Sequence, residues 1–128
     1  MQTTPPRGEP DKLAAAERVG HFNEIYLSFR DEQAAREASR CLKCGEHSIC
    51  EWTCPLHNHI PQWIERINAG DIAGAVELSH QTNCLPEITG RVCPQDRLCE
   101  GACTIREEAG SVTIGNIERY ISDRALAM

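Results

Sequence analysis

The stretch Cys41–Pro55 reads CLKCGEHSICEWTCP, which places four thiols within fourteen residues and a proline after the last. A second run, Cys93-Pro94-x4-Cys99-x3-Cys103, adds three more, and Cys84 stands apart from both. Thiolates are soft donors suited to zinc and to iron–sulfur clusters. They pair as disulfides where the compartment is oxidising. The N-terminus, MQTTPPRGEPDK, is polar and proline-rich and has neither a signal-peptide nor a transit-peptide pattern, so a cytoplasmic protein with reduced thiols is expected. Metal ligation is then the leading use of the cysteines, and disulfides the lesser one.

Spacing divides the metal readings. Zinc sites commonly pair two CxxC knuckles, and this chain has one, Cys41-x2-Cys44. Three close cysteines, then a fourth after three residues and followed by proline, are similar to a bacterial ferredoxin run with a longer middle gap. In that run the fourth cysteine ligates the other cluster. A cubane cluster is bulky: three thiols on a folded-back loop reach three irons, and the fourth corner needs a ligand from elsewhere. Cys50/Cys54 and Cys99/Cys103 each have i,i+4 spacing. On a helical turn each pair projects the same way, so its members can sit between neighbouring clusters. Spacing points to a double metal site and favours iron–sulfur, with zinc still open.

Composition limits the classes around that site. The chain has 13 Lys+Arg against 19 Asp+Glu, a net charge of -6, which argues against a nucleic-acid partner. No apolar run reaches the length of a membrane span. With two Trp, two Tyr and two Phe, the core is thin for 128 residues, so metal ligation is expected to help hold the fold.

The elements that must position the thiols read as all-α. Residues 1–20 form a loosely ordered or disordered lead, and 21–128 the helical body. Asp31 caps a helix through EQAAREASRCLK that delivers Cys41 and Cys44 at its end, with Gly45 as the stop. Pro61 opens a second helix, PQWIERINAG, whose Trp63, Ile64 and Ile67 share a face. Asp71 caps a third, IAGAVELSHQ, with Ile72, Ala75, Val76 and Ser79 along one side, so these two form a helical hairpin. A loop is expected through Pro86 and Gly90, a helical turn over Leu98–Cys103, and a solvated turn at REEAG. After the extended piece SVT comes a last helix, IGNIERYISDRALAM, which is still in progress where the sequence stops.

The segments CEWTCPLHNHIPQWIERINAGDIAGAVELSHQTN and GRVCPQDRLCEGACTIREEAGSVTIGNIERYISD closely resemble the N-terminal domain of the glutamate synthase small (β) subunit. The same domain opens dihydropyrimidine dehydrogenase and related flavin oxidoreductases, and the resemblance covers about residues 20–128. It implies a helical domain holding two [4Fe-4S] clusters ahead of FAD- and NADPH-binding domains. No GxGxxG occurs in this chain, so a piece of a larger oxidoreductase subunit is expected. Carried over, the family pattern gives Cys41, Cys44, Cys50 and Cys103 to one cluster. It gives Cys54, Cys93 and Cys99 to the other, with a Glu or Gln on the helix after the second run as its non-cysteine ligand, here Glu118 of IGNIERYI. It also implies the role: hydride from NADPH reaches FAD, and single electrons pass through the clusters to the FMN of a large glutamate synthase subunit.

The residues support Glu118 separately. Ile114, Ile117, Ile121 and Ala125 form the apolar stripe of the last helix, and Glu118 lies within it. A charge on an inward face is costly unless it is paired or metal-bound. The plainer alternative is that it snorkels to the edge or pairs with an arginine. Cys84 is either a small buried hydrophobe or the alternative eighth ligand. Many relatives carry a cysteine where this chain has Thr89. His47, His57 and His59 fit no zinc template and are expected to shape loops, while His80 and Gln81 cap and pack. Arg91 and Arg97 flank Cys93, either offsetting cluster charge or lying at the surface. Two other functions remain open: the same domain from another flavin oxidoreductase with a different acceptor, and a zinc-stapled, non-redox docking module.

Overall fold

The computed structural model describes residues 4–128. Residues 1–3 of the lead and the side chain of His47 lie outside the described residues. In chain order the helices are α1 (Ala15–Arg18), α2 (Asp31–Ser39), α3 (Ile49–Thr53), α4 (Ile60–Asn68), α5 (Ile72–Thr82), α6 (Pro86–Val92), α7 (Arg106–Ala109) and α8 (Ile114–Ala127). Tight 3-10 turns cover Gly45–His47 and Gln95–Arg97. Among the described residues there is no strand, only an isolated bridge between Lys12 and Tyr26, so the fold is all-α.

The hairpin forms as its sequence dictates. Pro61 sits in the first turn of α4, which buries Ile60, Trp63, Ile64 and Ile67 on one face. Gly70, at φ +74, takes the left-handed conformation that ends the helix. The Asp71 carboxylate then caps α5 by accepting from the Gly74 N–H at 2.9 Å. α8 packs on α5 and α6, and α2 packs on α4 and α8. Trp63, Ile64, Ile117 and Ile121 fill the centre.

Three elements differ from expectation, each around a cysteine. First, α2 ends at Ser39, because Lys43 and Gly45 adopt positive φ (51 and 68); Cys41 and Cys44 therefore stand on a loop. Second, residues 86–92 are helical: Pro86 starts α6 in its first turn, where a missing N–H costs nothing. Gly90 lets α6 meet α8 backbone to backbone, since a Cβ there would lie 2.9 Å from the Arg119 nitrogen. Third, residues 98–103 form turns rather than a helix, because the Gln95 carbonyl accepts from Leu98, Glu100 and Gly101 at 3.0–3.1 Å and pulls the chain around itself. REEAG is the short helix α7, although Glu107 and Glu108 do face solvent.

A buried ion pair ties these parts together. Arg40 and Glu37 are 2% and 1% exposed, and Arg40 Nη1 meets Glu37 Oε2 at 2.9 Å. The other guanidinium hydrogen bonds go to backbone carbonyls: Ser111 at 3.0 Å, Ala109 at 2.7 Å, Gly110 at 2.6 Å and Pro5 at 2.8 Å. Glu37 accepts from the Gly8 N–H at 2.5 Å and from the N–H and hydroxyl of Thr113 at 3.1 and 3.0 Å. The described part of the lead thus lies across α2 and the 109–113 segment. Arg7 adds an ion pair to Glu100 at 2.8 Å.

A buried pair with every partner in place tolerates joint replacement far better than loss of one member. Arg40→Met leaves the Glu37 charge buried alone and is expected to cost on the order of 3–5 kcal/mol in urea unfolding. The double variant Glu37→Met/Arg40→Met is expected to cost clearly less, and equal losses would mean that the pair is not coupled.

Candidate metal centres

Seven of the eight cysteines fall into two sets. Cys41 follows α2 by two residues, Cys44 precedes the first 3-10 turn, Cys50 is the second residue of α3, and Cys103 lies in the turn before α7. Burial raises the Cys41 thiol, and the charges of Cys44 and Cys103 raise it further. Cys50 is pushed up to about 12, first by burial and then by Cys41, Cys103 and Cys44. These four sense one another. Apolar side chains wall them in, among them Leu42, Ile60, Ile64, Ile105 and Val112.

The second set is Cys54 at the end of α3, Cys93 at the end of α6, Cys99, and Glu118 from the middle of α8. Burial raises Cys93, with Glu118 and Cys54 adding to the effect. Burial also raises Cys99, helped by Glu100, Glu118 and Cys54. Cys50 and Cys54 are one turn apart, with Cys54 N–H donating to the Cys50 carbonyl at 3.1 Å, yet each belongs to a different set. Cys99 and Cys103 divide the same way without a helix between them.

Such donors suit a polynuclear iron–sulfur centre. Buried thiols whose ionised forms repel one another need a cationic core to hold them deprotonated. One backbone N–H, that of Lys43, already favours the ionised Cys41 sulfur, against the burial that raises it. Hydrogen bonds of this kind to cluster sulfurs tune reduction potential. Among the described residues, no three His, Cys, Asp or Glu side chains converge closely enough to hold one metal ion. A lone zinc needs its sulfurs about 2.3 Å from a single centre, whereas a cubane spreads its ligands over four irons.

Glu118 sits in a built polar niche. Asn83 Nδ2 donates to its Oε1 at 3.0 Å, and Asn58 Nδ2 lies 3.5 Å from the same oxygen. Burial pushes the carboxyl up to about 7, against hydrogen bonds from Asn83 and Thr89 that pull it down. The apolar stripe predicts where Glu118 points. It carries no signal for Asn58 and Asn83, although both lie in the quoted segments PLHNHIP and SHQTN.

The remaining candidates fall elsewhere. Cys84 is exposed in the link between α5 and α6, not buried, and it is absent from the charges that raise Cys93 and Cys99. Arg91 bonds Glu24, and also Asp123 at 2.8 Å, so its charge is matched by carboxylates rather than by the thiols it flanks in sequence. Arg97 is exposed. His59 meets Glu51 at 3.2 Å, His57 sits edge-on to Trp52 at 5.5 Å, and His80 contacts the Val76 carbonyl at 2.8 Å.

Glu118 gives the metal-free protein a pH dependence. Its folded-state value lies above its unfolded one, so the folded state holds more protons between about pH 4.5 and 7 and loses stability as pH rises through that window. Urea unfolding of the metal-free protein is expected to show a midpoint that falls from pH 5 to pH 8, and Glu118→Gln is expected to flatten the fall. An unchanged slope in the variant would assign the dependence to another group.

Known proteins give the arrangement a context. The family described as dihydropyrimidine dehydrogenase domain II, 4Fe-4S cluster, matches residues 18–128. The chain is 80% identical over 127 residues to AegA of Escherichia coli (strain K12), a protein named as an oxidoreductase, covering 99% of this chain and 19% of that one. It is 58% identical over 118 residues to UacF of the same organism, also named as an oxidoreductase, covering 92% of this chain and 18% of that one. To the glutamate synthase [NADPH] small chain of the same organism it is 57% identical over 122 residues, covering 95% of this chain and 26% of that one. The chain thus spans between 18% and 26% of the length of these relatives. Among the described residues, no helix is long and apolar enough to cross a membrane.

Proposed function

We propose, from the premise that the chain belongs to the dihydropyrimidine dehydrogenase domain II family of 4Fe-4S domains, that it is the electron-relay domain of a flavin oxidoreductase with two [4Fe-4S] clusters. Cys41, Cys44, Cys50 and Cys103 would hold the first cluster, and Cys54, Cys93, Cys99 and Glu118 the second. The observation that carries this reading is that Cys41, Cys44, Cys50 and Cys103 line one cavity, while Glu118 and Cys54 act electrostatically on both Cys93 and Cys99. When bound, such clusters accept and release single electrons.

The chain's own residues supply insulation and tuning. Apolar side chains line the first set, with Cys44 at its exposed edge. The Lys43 backbone N–H stabilises negative charge on the Cys41 sulfur. A carboxylate in place of one thiolate makes the two sets electronically unlike, and ligand type is one of the protein's levers on potential. NADPH and FAD belong outside this chain, in a flavin domain that follows it, and the setting is a reducing cytoplasm.

Two parents share this relay. In a glutamate synthase small subunit, the acceptor is the flavin of the large subunit. In a longer oxidoreductase, it is a different acceptor. Identities of 80% and 58% to AegA and UacF, of which this chain is a smaller share, favour the longer parent, while the glutamate synthase small chain stands at 57%. A zinc staple is disfavoured, because the family that matches residues 18–128 is described by a 4Fe-4S cluster.

Metal and sulfide analysis of protein purified without oxygen tests the reading. It should give about eight irons and eight sulfides per chain, with visible absorption that bleaches with dithionite. Cys50→Ser should damage only the first cluster and Glu118→Ala only the second. About two zincs and no colour would leave a structural module instead.

A further inference from the structure

Two buried asparagines turn their donor ends toward one oxygen of Glu118. Asn83 and Asn58 are 4% and 2% exposed. Neighbours that can only donate fix how each amide is turned. Asn83 Oδ1 accepts the Leu85 N–H at 3.0 Å, and Asn58 Oδ1 accepts the Trp63 indole N–H at 3.1 Å. Reversing either amide would set NH2 against N–H. Both Nδ2 groups therefore face Glu118, and both approach Oε1, at 3.0 and 3.5 Å. Asn83 Nδ2 also donates to Thr89 Oγ1 at 2.7 Å, and that hydroxyl, which itself bonds the Glu118 carboxyl, lies 3.3 Å from the Leu85 carbonyl and closes the niche. One asparagine precedes α4 and the other follows α5, so separate elements converge on the middle of α8.

We infer, resting on Glu118 as a ligand of the second set, that Asn83 and Asn58 are positioning residues that occupy Oε1, leave Oε2 for iron, and so select a carboxylate over an amide at position 118. A carboxylate has two equivalent oxygens, one for the amides and one for the metal. A glutamine there has a single oxygen. With that oxygen held by two donors, its NH2 is turned to the metal, and an amide NH2 is not a ligand.

Asn83→Asp tests this with little change of shape. It keeps the acceptor for the Leu85 N–H and removes the Nδ2 donor, and with it the bonds to Glu118 and to Thr89 Oγ1. The full chain is purified without oxygen as Glu118→Ala, Glu118→Gln, Asn83→Asp and the double variant Asn83→Asp/Glu118→Gln. Iron content and the electron paramagnetic resonance spectrum after dithionite are read for each. Glu118→Gln and Asn83→Asp should each lower iron from about eight to about four per chain and keep the signal of the first set. The double variant should recover part of the lost iron and the second signal, because the glutamine NH2 can donate to the new carboxylate and release its oxygen to the metal, with only the longer 3.5 Å contact to Asn58 lost. A purely structural Asn83 would show no such rescue. The inference is overturned if Asn83→Asp keeps about eight irons and an unchanged spectrum, if it loses both signals, or if the double variant is no better than the single ones. If Glu118→Ala itself keeps full iron and an unchanged spectrum, the ligand reading fails as well. Loss of the second set in Glu118→Ala with no effect of Asn83→Asp removes the positioning role alone.

Discussion

The Glu37–Arg40 pair sits where the two cysteine runs must be brought together. Arg40 immediately precedes Cys41, and its guanidinium reaches the carbonyls of Ala109, Gly110 and Ser111, just beyond the run that ends at Cys103. Those two cysteines come from opposite ends of the body and share one set. Burying two charges is expensive, and here every donor of Arg40 and both oxygens of Glu37 are matched. An apolar contact would hold the same segments together, but it would not fix which carbonyl faces which nitrogen. The ion pair supplies register, which ligand geometry needs more than raw stability.

The legible parts of this fold were those governed by local rules. Pro61, Gly70 and Asp71 place the hairpin because a first-turn proline, a left-handed glycine and a capping carboxylate act within a few residues. The stripe of α8 placed Glu118 inward because helical periodicity is equally local. The illegible parts depend on contacts distant in sequence. Pro86–Val92 looks like a loop until Gly90 is seen against the α8 backbone. Arg40 looks like a surface residue at a helix end until its carbonyl partners arrive from seventy residues away. The amides that hold Glu118 belong to the same class: an asparagine beside a helix end reads as a cap, and nothing local says that it serves another helix.

Of the candidate site, spacing gave the number of thiols and the shared segments gave their division into two sets. Geometry adds the asymmetry. One set is all sulfur with an apolar wall, and the other combines three sulfurs with an oxygen donor in a polar niche. The same chain therefore offers two chemically different environments within a body of 128 residues. In the proposed relay, unlike ligand sets would give the two stations different potentials, ligand type being one of the protein's levers.

The short helix α3 has a mechanical consequence. Its first turn carries Cys50 and its end carries Cys54, so each set takes one ligand from the same rigid turn. The rise between those two positions is about 6 Å along a helix axis. Thermal motion of the longer loops can alter the surroundings of either set, but at this edge it cannot open a gap between them without unwinding α3. In the proposed relay, the hop from one centre to the other would thereby be buffered against breathing of the rest of the domain, much as two rungs keep their spacing on a ladder whose feet are free to shift.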